Sequence, residues 1–211
     1  MKLLIVTGYG GSGADHWQTW LEQQGLPSER VQQQWHQPVL AQWRDQIIAA
    51  IRRQTEPTII VAHSFGCLAT VAALAAAPKL ASKVRRVILV APAEPNRFSS
   101  SGCRQGHQFG IADLLPQRRV HPALEIWASE NDPWLSFERA VFWANLWDAK
   151  LNNLGRAGHV NVESGFGAWP ALLDALQNNP HPSPIQHNNH HQNPNDQTRP
   201  DQTRPDQTRP D

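Results

Sequence analysis

Three residues in this chain have the types and the order that catalysis by a serine hydroxyl requires. Ser64 lies in Ala62-His63-Ser64-Phe65-Gly66, directly after the β-branched apolar run Thr58 to Ala62 and directly before an alanine-rich stretch. A sharp strand-to-helix turn strains the backbone of the serine and brings the residues two positions to either side almost into contact, so both must be small. Gly66 meets that demand, and Ala62 departs from it by one methyl group. The turn also sets Ser64 at a helix N-terminus, where the Phe65 amide is free to bind an oxyanion. Taken alone, the pentapeptide fits a plain Ser-Gly turn as well.

A serine hydroxyl needs a base, and the base needs an orienting carboxylate. Asp132, in Ser129-Glu130-Asn131-Asp132-Pro133, follows the apolar run Leu124 to Ala128. His159, in Gly155-Arg156-Ala157-Gly158-His159, follows a run ending near Leu154. The order Ser, Asp, His, each just past a strand, places all three at the carboxyl edge of an open α/β sheet. Asp132 also fits the start of the next helix, and Glu130 is a rival acid. His16, His36, His63, His107 and His121 read as loop histidines. None pairs with a carboxylate at metal-ligand spacing, so no metal site is inferred.

Thr7-Gly8-Tyr9-Gly10-Gly11-Ser12-Gly13 follows one strand and precedes a helix, as a phosphate-binding turn would. Gly8, Gly10 and Gly13 have dinucleotide spacing, but no acidic residue ends a second strand about 20 positions on. Glu29 stands before the weak strand expected over Val31 to Trp35, and no Gly-Lys-Ser/Thr is present. The better reading is an oxyanion loop, with the Tyr9 amide as second donor beside Phe65 and no cofactor.

The elements that must position these residues alternate. Strands are expected over Leu3–Val6, Thr58–Ala62, Val87–Val90, Leu124–Ala128 and Leu151–Leu154. Helices are expected around Trp17, Trp20 and Leu21 (capped by Asp15), over Leu40 to Ile51, Cys67 to Ala77, Phe137 to Trp147 and Ala168 to Leu176. That rhythm predicts an α/β fold, a mostly parallel sheet with helices on both faces. The stretch Ala93 to Pro122 breaks it and reads as a small lid or rim with one short helix near Ile111 to Leu115. Trp35, Trp134 and Trp169 fall near loops and are candidates for lining a pocket.

Composition narrows the function. The chain has 211 residues, 19 basic and 18 acidic. The sequence predicts one domain over residues 1–178 and a disordered, low-complexity tail over 179–211 that carries Asp-Gln-Thr-Arg-Pro repeats. The near-neutral body has no basic cluster to grip nucleic acid. No apolar run reaches membrane-spanning length, and the apolar start is too short for a signal peptide. Two cysteines make no disulfide framework, so a cytoplasmic setting is expected.

Longer stretches carry a family resemblance. They include His16-Trp17-Gln18-x-Trp20, Pro38 with Trp43, Ala62 to Leu68, Ala91-Pro92-Ala93, Ala128 to Pro133 and Phe137 to Ala140. The most distinctive is Gly158-His159-Val160-Asn161-Val162-Glu163-Ser164-Gly165-Phe166-Gly167-x-Trp169-Pro170. The chain resembles the small α/β-hydrolase-fold serine hydrolases grouped with retinoblastoma-binding protein nine and the bacterial YdeN proteins. The resemblance implies a compact hydrolase with little or no cap domain, with Ser64 as nucleophile, Asp132 as acid and His159 as base. It further implies a carboxylesterase acting on a small-molecule ester. The animal member's partner-binding role has no matching motif here, and protein partners are left unassigned. Two other readings stay open: an interaction module on a hydrolase scaffold, and acyl transfer by the same triad.

Overall fold

The apolar runs form strands because their two faces feed two separate helical layers. The computed structural model describes residues 2–178; the expected tail over 179–211 lies outside the described residues. In chain order the elements are β1 (Lys2–Val6), α1 (Trp17–Glu22), β2 (Ser28–Arg30), α2 (Leu40–Arg53), β3 (Thr58–Ser64), α3 (Phe65–Ala76) and β4 (Val84–Pro92). They continue with β5 (Phe98–Ser99), β6 (Gly102–Cys103), β7 (Leu124–Ala128), α4 (Phe137–Trp147), β8 (Lys150–Asn153) and α5 (Pro170–Gln177). Six strands form one sheet in the order β2-β1-β3-β4-β7-β8, every neighbouring pair parallel.

Alternation along the central strands explains the layers. Leu4, Val6, Ile60, Ala62, Val87 and Leu89 pack with Trp43 and Ile47 of α2, Phe65 and Leu68 of α3, and Trp143 and Trp147 of α4. Leu3, Ile5, Ile59, Val61, Ile88 and Val90 pack with Trp17 and Leu21 of α1 and with Leu172 and Leu176 of α5. A strand buried on both faces reads as a continuous apolar run, the pattern of parallel sheets. Burial dominates the energetics. A fully buried side chain of this kind contributes about 1.5–3 kcal/mol, whereas an exposed ion pair such as Arg44–Asp45 adds less than about 1 kcal/mol. The half-buried Arg86–Glu125 pair, 2.6 Å, links β4 to β7, and a second Arg86 nitrogen donates to the Ala175 carbonyl of α5.

The strand order reverses between β1 and β3, which are neighbours although β2 and α2 separate them in the chain. Such a switch point opens a crevice at the carboxyl ends of the strands. The glycine-rich turn after β1 and Ser64 at the end of β3 both open onto it.

Two expectations change. The second strand is Ser28–Arg30, not Val31 to Trp35: it pairs with Leu3, Leu4 and Ile5. Val31 gives one last hydrogen bond to the Ile5 carbonyl, 2.9 Å, and the chain then leaves the sheet. Val31 to Trp35 holds only one β-branched residue, and pairing ends where the Ile5 carbonyl takes its bond from Val31. Helix α1 is capped by His16 rather than Asp15, the His16 Nδ1 accepting from the Gln18 N–H at 3.2 Å. The excursion between β4 and β7 holds the β5–β6 hairpin and two 3-10 turns, Pro95–Arg97 and Ala112–Leu114, the latter where a short helix was expected.

Candidate active site

Ser64 has φ 54° and ψ −123°, a region that side-chain-bearing residues enter only under constraint. The constraint is local packing. A Cβ on Gly66 would overlap the Thr7 carbonyl oxygen and come within 2.9 Å of Val6 Cγ1, and a Cβ on Gly8 would lie 2.8 Å from Ser64 Cβ. Only glycine lets β1, its turn and the start of α3 close around the serine. The extra methyl of Ala62 is accommodated in the core.

Residues distant in sequence converge on the hydroxyl. His159 Nε2 lies 2.9 Å from Ser64 Oγ, and His159 Nδ1 lies 2.9 Å from each carboxylate oxygen of Asp132. A carboxylate only accepts, so Nδ1 carries the proton and Nε2 is left to accept from the serine hydroxyl. Asp132 Oδ1 also accepts from the Trp134 N–H at 2.8 Å. The rival acid, Glu130, is exposed and accepts instead from Asn153 Nδ2 at 2.8 Å. Its backbone N–H donates to the Gly155 carbonyl, 2.8 Å. Ser129 Oγ donates to Asn131 Oδ1 and accepts from the Ala157 N–H, both 2.9 Å, and Asn131 Oδ1 accepts from the Gly158 N–H at 2.8 Å. These bonds stitch the loop bearing Asp132 to the loop bearing His159.

Beside Ser64 lies a cavity of about 330 Å³ whose walls include Tyr9, Gly11, His16, His63, Phe98, Trp134, Asn161 and Glu163. Phe98 belongs to the excursion, so that segment does form part of the rim. Of the three tryptophans expected at a pocket, only Trp134 is there, its ring 5.8 Å from that of His159 and beneath the Arg97 guanidinium at 4.6 Å. Trp169 is buried against Trp17, Trp127 and Phe166, and Trp35 backs Gly11. Tyr9 stands on the glycine-rich turn, closed by a bond from Gly11 to the Gly8 carbonyl, 3.0 Å. Phe65 opens α3, where a backbone N–H has no intrahelical acceptor.

Two of the expected loop histidines, His16 and His63, line this cavity, and His63 lies within β3 rather than in a loop. His63 and His159 have ring centres 4.9 Å apart, and His16 and His63 5.0 Å apart. Burial, then Arg30 and His159, hold His16 down at about 4. Burial and the two neighbouring histidines likewise keep His63 well below the usual histidine range. Both are therefore neutral at pH 7. An isolated histidine has no periodicity, so only its adjacency to Ser64 or to the glycine turn could have marked either one.

Glu29 now lies within β2, but its carboxylate is engaged by Lys2, Arg53 and Gln54. The acid that a dinucleotide site would need is thus committed elsewhere. Among the described residues, no group of three or more His, Cys, Asp or Glu side chains is arranged to hold a metal ion. Buried Cys67 gives its thiol to the Val90 carbonyl, and burial pushes its ionisation well up.

The parallel sheet, with a strained serine at the turn from β3 into α3, defines an α/β-hydrolase fold. The chain belongs to the serine hydrolase family, whose sequence model matches residues 3–178. It is 28% identical over 184 residues to YdeN of Bacillus subtilis (strain 168), a protein named as a hydrolase, covering 83% of this chain and 94% of YdeN. The solved structure of that ydeN product superposes with a TM-score of 0.62 at 25% identity, covering 83% of this chain and 96% of that one. A YdeN-like hydrolase from Pectobacterium atrosepticum SCRI1043 is 35% identical with a TM-score of 0.72, covering 83% of this chain and 88% of that one.

Proposed function

We propose that the protein is a carboxylesterase that cleaves small esters through an acyl-enzyme on Ser64. The observation that carries this reading is the continuous relay from Ser64 Oγ through the His159 ring to Asp132, with every link at 2.9 Å. His159 Nε2 takes the hydroxyl proton as Ser64 Oγ attacks the ester carbonyl, and Asp132 stabilises the resulting imidazolium. The Tyr9 and Phe65 amides hold the tetrahedral oxyanion. As the acyl–oxygen bond breaks, the imidazolium returns its proton to the departing alcohol. Water, deprotonated by His159, then attacks the acyl-serine, and the imidazolium returns that proton to Ser64 Oγ as the acid leaves.

A cavity near 330 Å³ fits a small acyl group rather than a polymer. The strained serine and the hydrogen-bonded loops support turnover over a purely binding role, because neither is needed to present a surface. The hydrolase domain is proposed to be residues 1–178, which contain the whole relay. Among the described residues no helix is long and apolar enough to cross a membrane. Free thiols at Cys67 and Cys103 fit a reducing compartment, and the cytoplasm is the proposed setting. The test is hydrolysis of p-nitrophenyl butyrate together with fluorophosphonate labelling. Both should vanish in Ser64→Ala and in His159→Ala, and undiminished hydrolysis by Ser64→Ala would overturn the reading.

A further inference from the structure

The strand that precedes His159 does not by itself bring that residue to Ser64. In the sheet, β4 and β7 stand between β3 and β8, so the loop after β8 must reach back across two strands. Two side chains meet it there. His63 Nε2 lies 2.9 Å from the His159 carbonyl, and Trp17 Nε1 donates to the Val160 carbonyl at 2.8 Å. A carbonyl only accepts, so the His63 Nε2 carries its proton. Both side chains are buried.

The two gripped carbonyls bracket an unusual backbone. Val160 has φ 49°, in the left-handed region that a β-branched residue adopts only when its surroundings impose it. Its own N–H donates to the Ala157 carbonyl at 3.2 Å, closing a tight turn that contains His159. Relaxing φ at Val160 would swing the backbone that carries the imidazole.

We propose that His63 and Trp17 are positioning residues of the hydrolytic site, holding the His159–Val160 backbone in its left-handed turn so that His159 Nε2 meets Ser64 Oγ. This rests on the proposed role of His159 as base. His63 then has a double place: it precedes Ser64 in the chain and grips the backbone of the base, so the two reacting side chains share one anchor. Trp17 lies outside the cavity beside Ser64, whereas His63 also forms part of its wall.

The test uses the full chain and p-nitrophenyl butyrate, with kcat expressed per active site titrated by a fluorophosphonate. Trp17→Phe keeps an aromatic ring and deletes one N–H. The expected result is a fall in kcat per site on the order of 10- to 100-fold, with KM held within about two-fold. Adding Val160→Gly to Trp17→Phe should recover most of the loss, because glycine occupies positive φ without being forced. A merely structural role for Trp17 would lower the yield of titrated sites but not kcat per site, and a further glycine would not help.

An unchanged kcat per site in Trp17→Phe, or no recovery in the double variant, overturns the proposal. Should Trp17→Phe not fold, His63→Gln and His63→Phe make the comparison, since only glutamine keeps a donor. Equal kcat per site in these two would also overturn it. Ser64→Ala is assayed alongside: if it remains as active as the native chain, the triad itself is wrong, whereas an inert Ser64→Ala with an unaffected Trp17→Phe refutes the positioning role alone.

Discussion

Ser64 and Val160 both carry positive φ beside the proposed reaction, yet they are held there by different means. Ser64 ends β3, whose seven residues are all buried and which lies between β1 and β4. Its strain is maintained by close packing, with Gly8 and Gly66 leaving no slack around it. Val160 follows β8, an edge strand with partly exposed residues; its side chain is buried in the core, and the carbonyls on either side of it accept from His63 and Trp17. In the middle of a parallel sheet, sterics alone can impose a conformation. Beyond the edge, directional donors from another part of the chain add to the packing.

The largest effect should come from breaking the relay that joins the two regions. Ser64→Ala or His159→Ala should lower kcat for p-nitrophenyl butyrate on the order of 10⁴-fold or more, and the double variant should be little worse. Asp132→Asn should cost a comparable factor while leaving the fold intact, because an amide favours the wrong imidazole tautomer. Initial rates checked against circular dichroism decide both.

Next is pH. His16 is neutral in the native and unfolded chains above its ordinary value of 6.5, but its native value is about 4. Between those limits the unfolded chain binds a proton that the native chain refuses, so stability must fall as pH drops through this window. The cumulative loss is on the order of 3 kcal/mol, and His63, shifted the same way, adds to it. Urea midpoints at pH 7.5 and 4.5 measure it. His16→Gln should flatten the slope.

Smaller effects separate the two kinds of support directly. Gly66→Ala forces a methyl into the Thr7 backbone and should cost about 1–3 kcal/mol of unfolding free energy. Val160→Gly deletes a fully buried side chain, a loss of about 2–3 kcal/mol that relief of the positive φ only partly offsets. Val160→Ala makes the same deletion without that relief, so a glycine variant no more stable than the alanine one would show that φ at Val160 carries no strain. Smallest of all, a chain ending at residue 178 should keep kcat/KM within about two-fold, which bounds the domain.

Much of the site was legible because its logic is local. The β-branched, apolar Thr58–Ala62 run marks a strand in any context, and Gly66 is demanded by the turn that follows. Asp132 and His159 were each legible as polar residues just past an apolar run, although the sequence alone kept Glu130 as a rival. The Asn153 contact that removes Glu130 arises only once β7 and β8 lie side by side. Likewise Val31 to Trp35 has an apolar residue at each end, but the chain leaves the sheet once Val31 has bonded to Ile5. Asp15 has the chemistry of a cap, and the backbone direction hands that role to His16.

Spacing, side-chain size and apolar pattern over a few residues were enough for the class of fold, the turn around Ser64 and the chain order of the three residues of the proposed triad. The histidines that surround Ser64, the neutrality of His16 and His63, and the reach of Trp17 to the Val160 carbonyl come only from the folded arrangement. Burial, tautomer and a bond across 143 residues of chain are properties of neighbours in space, and no local pattern encodes them.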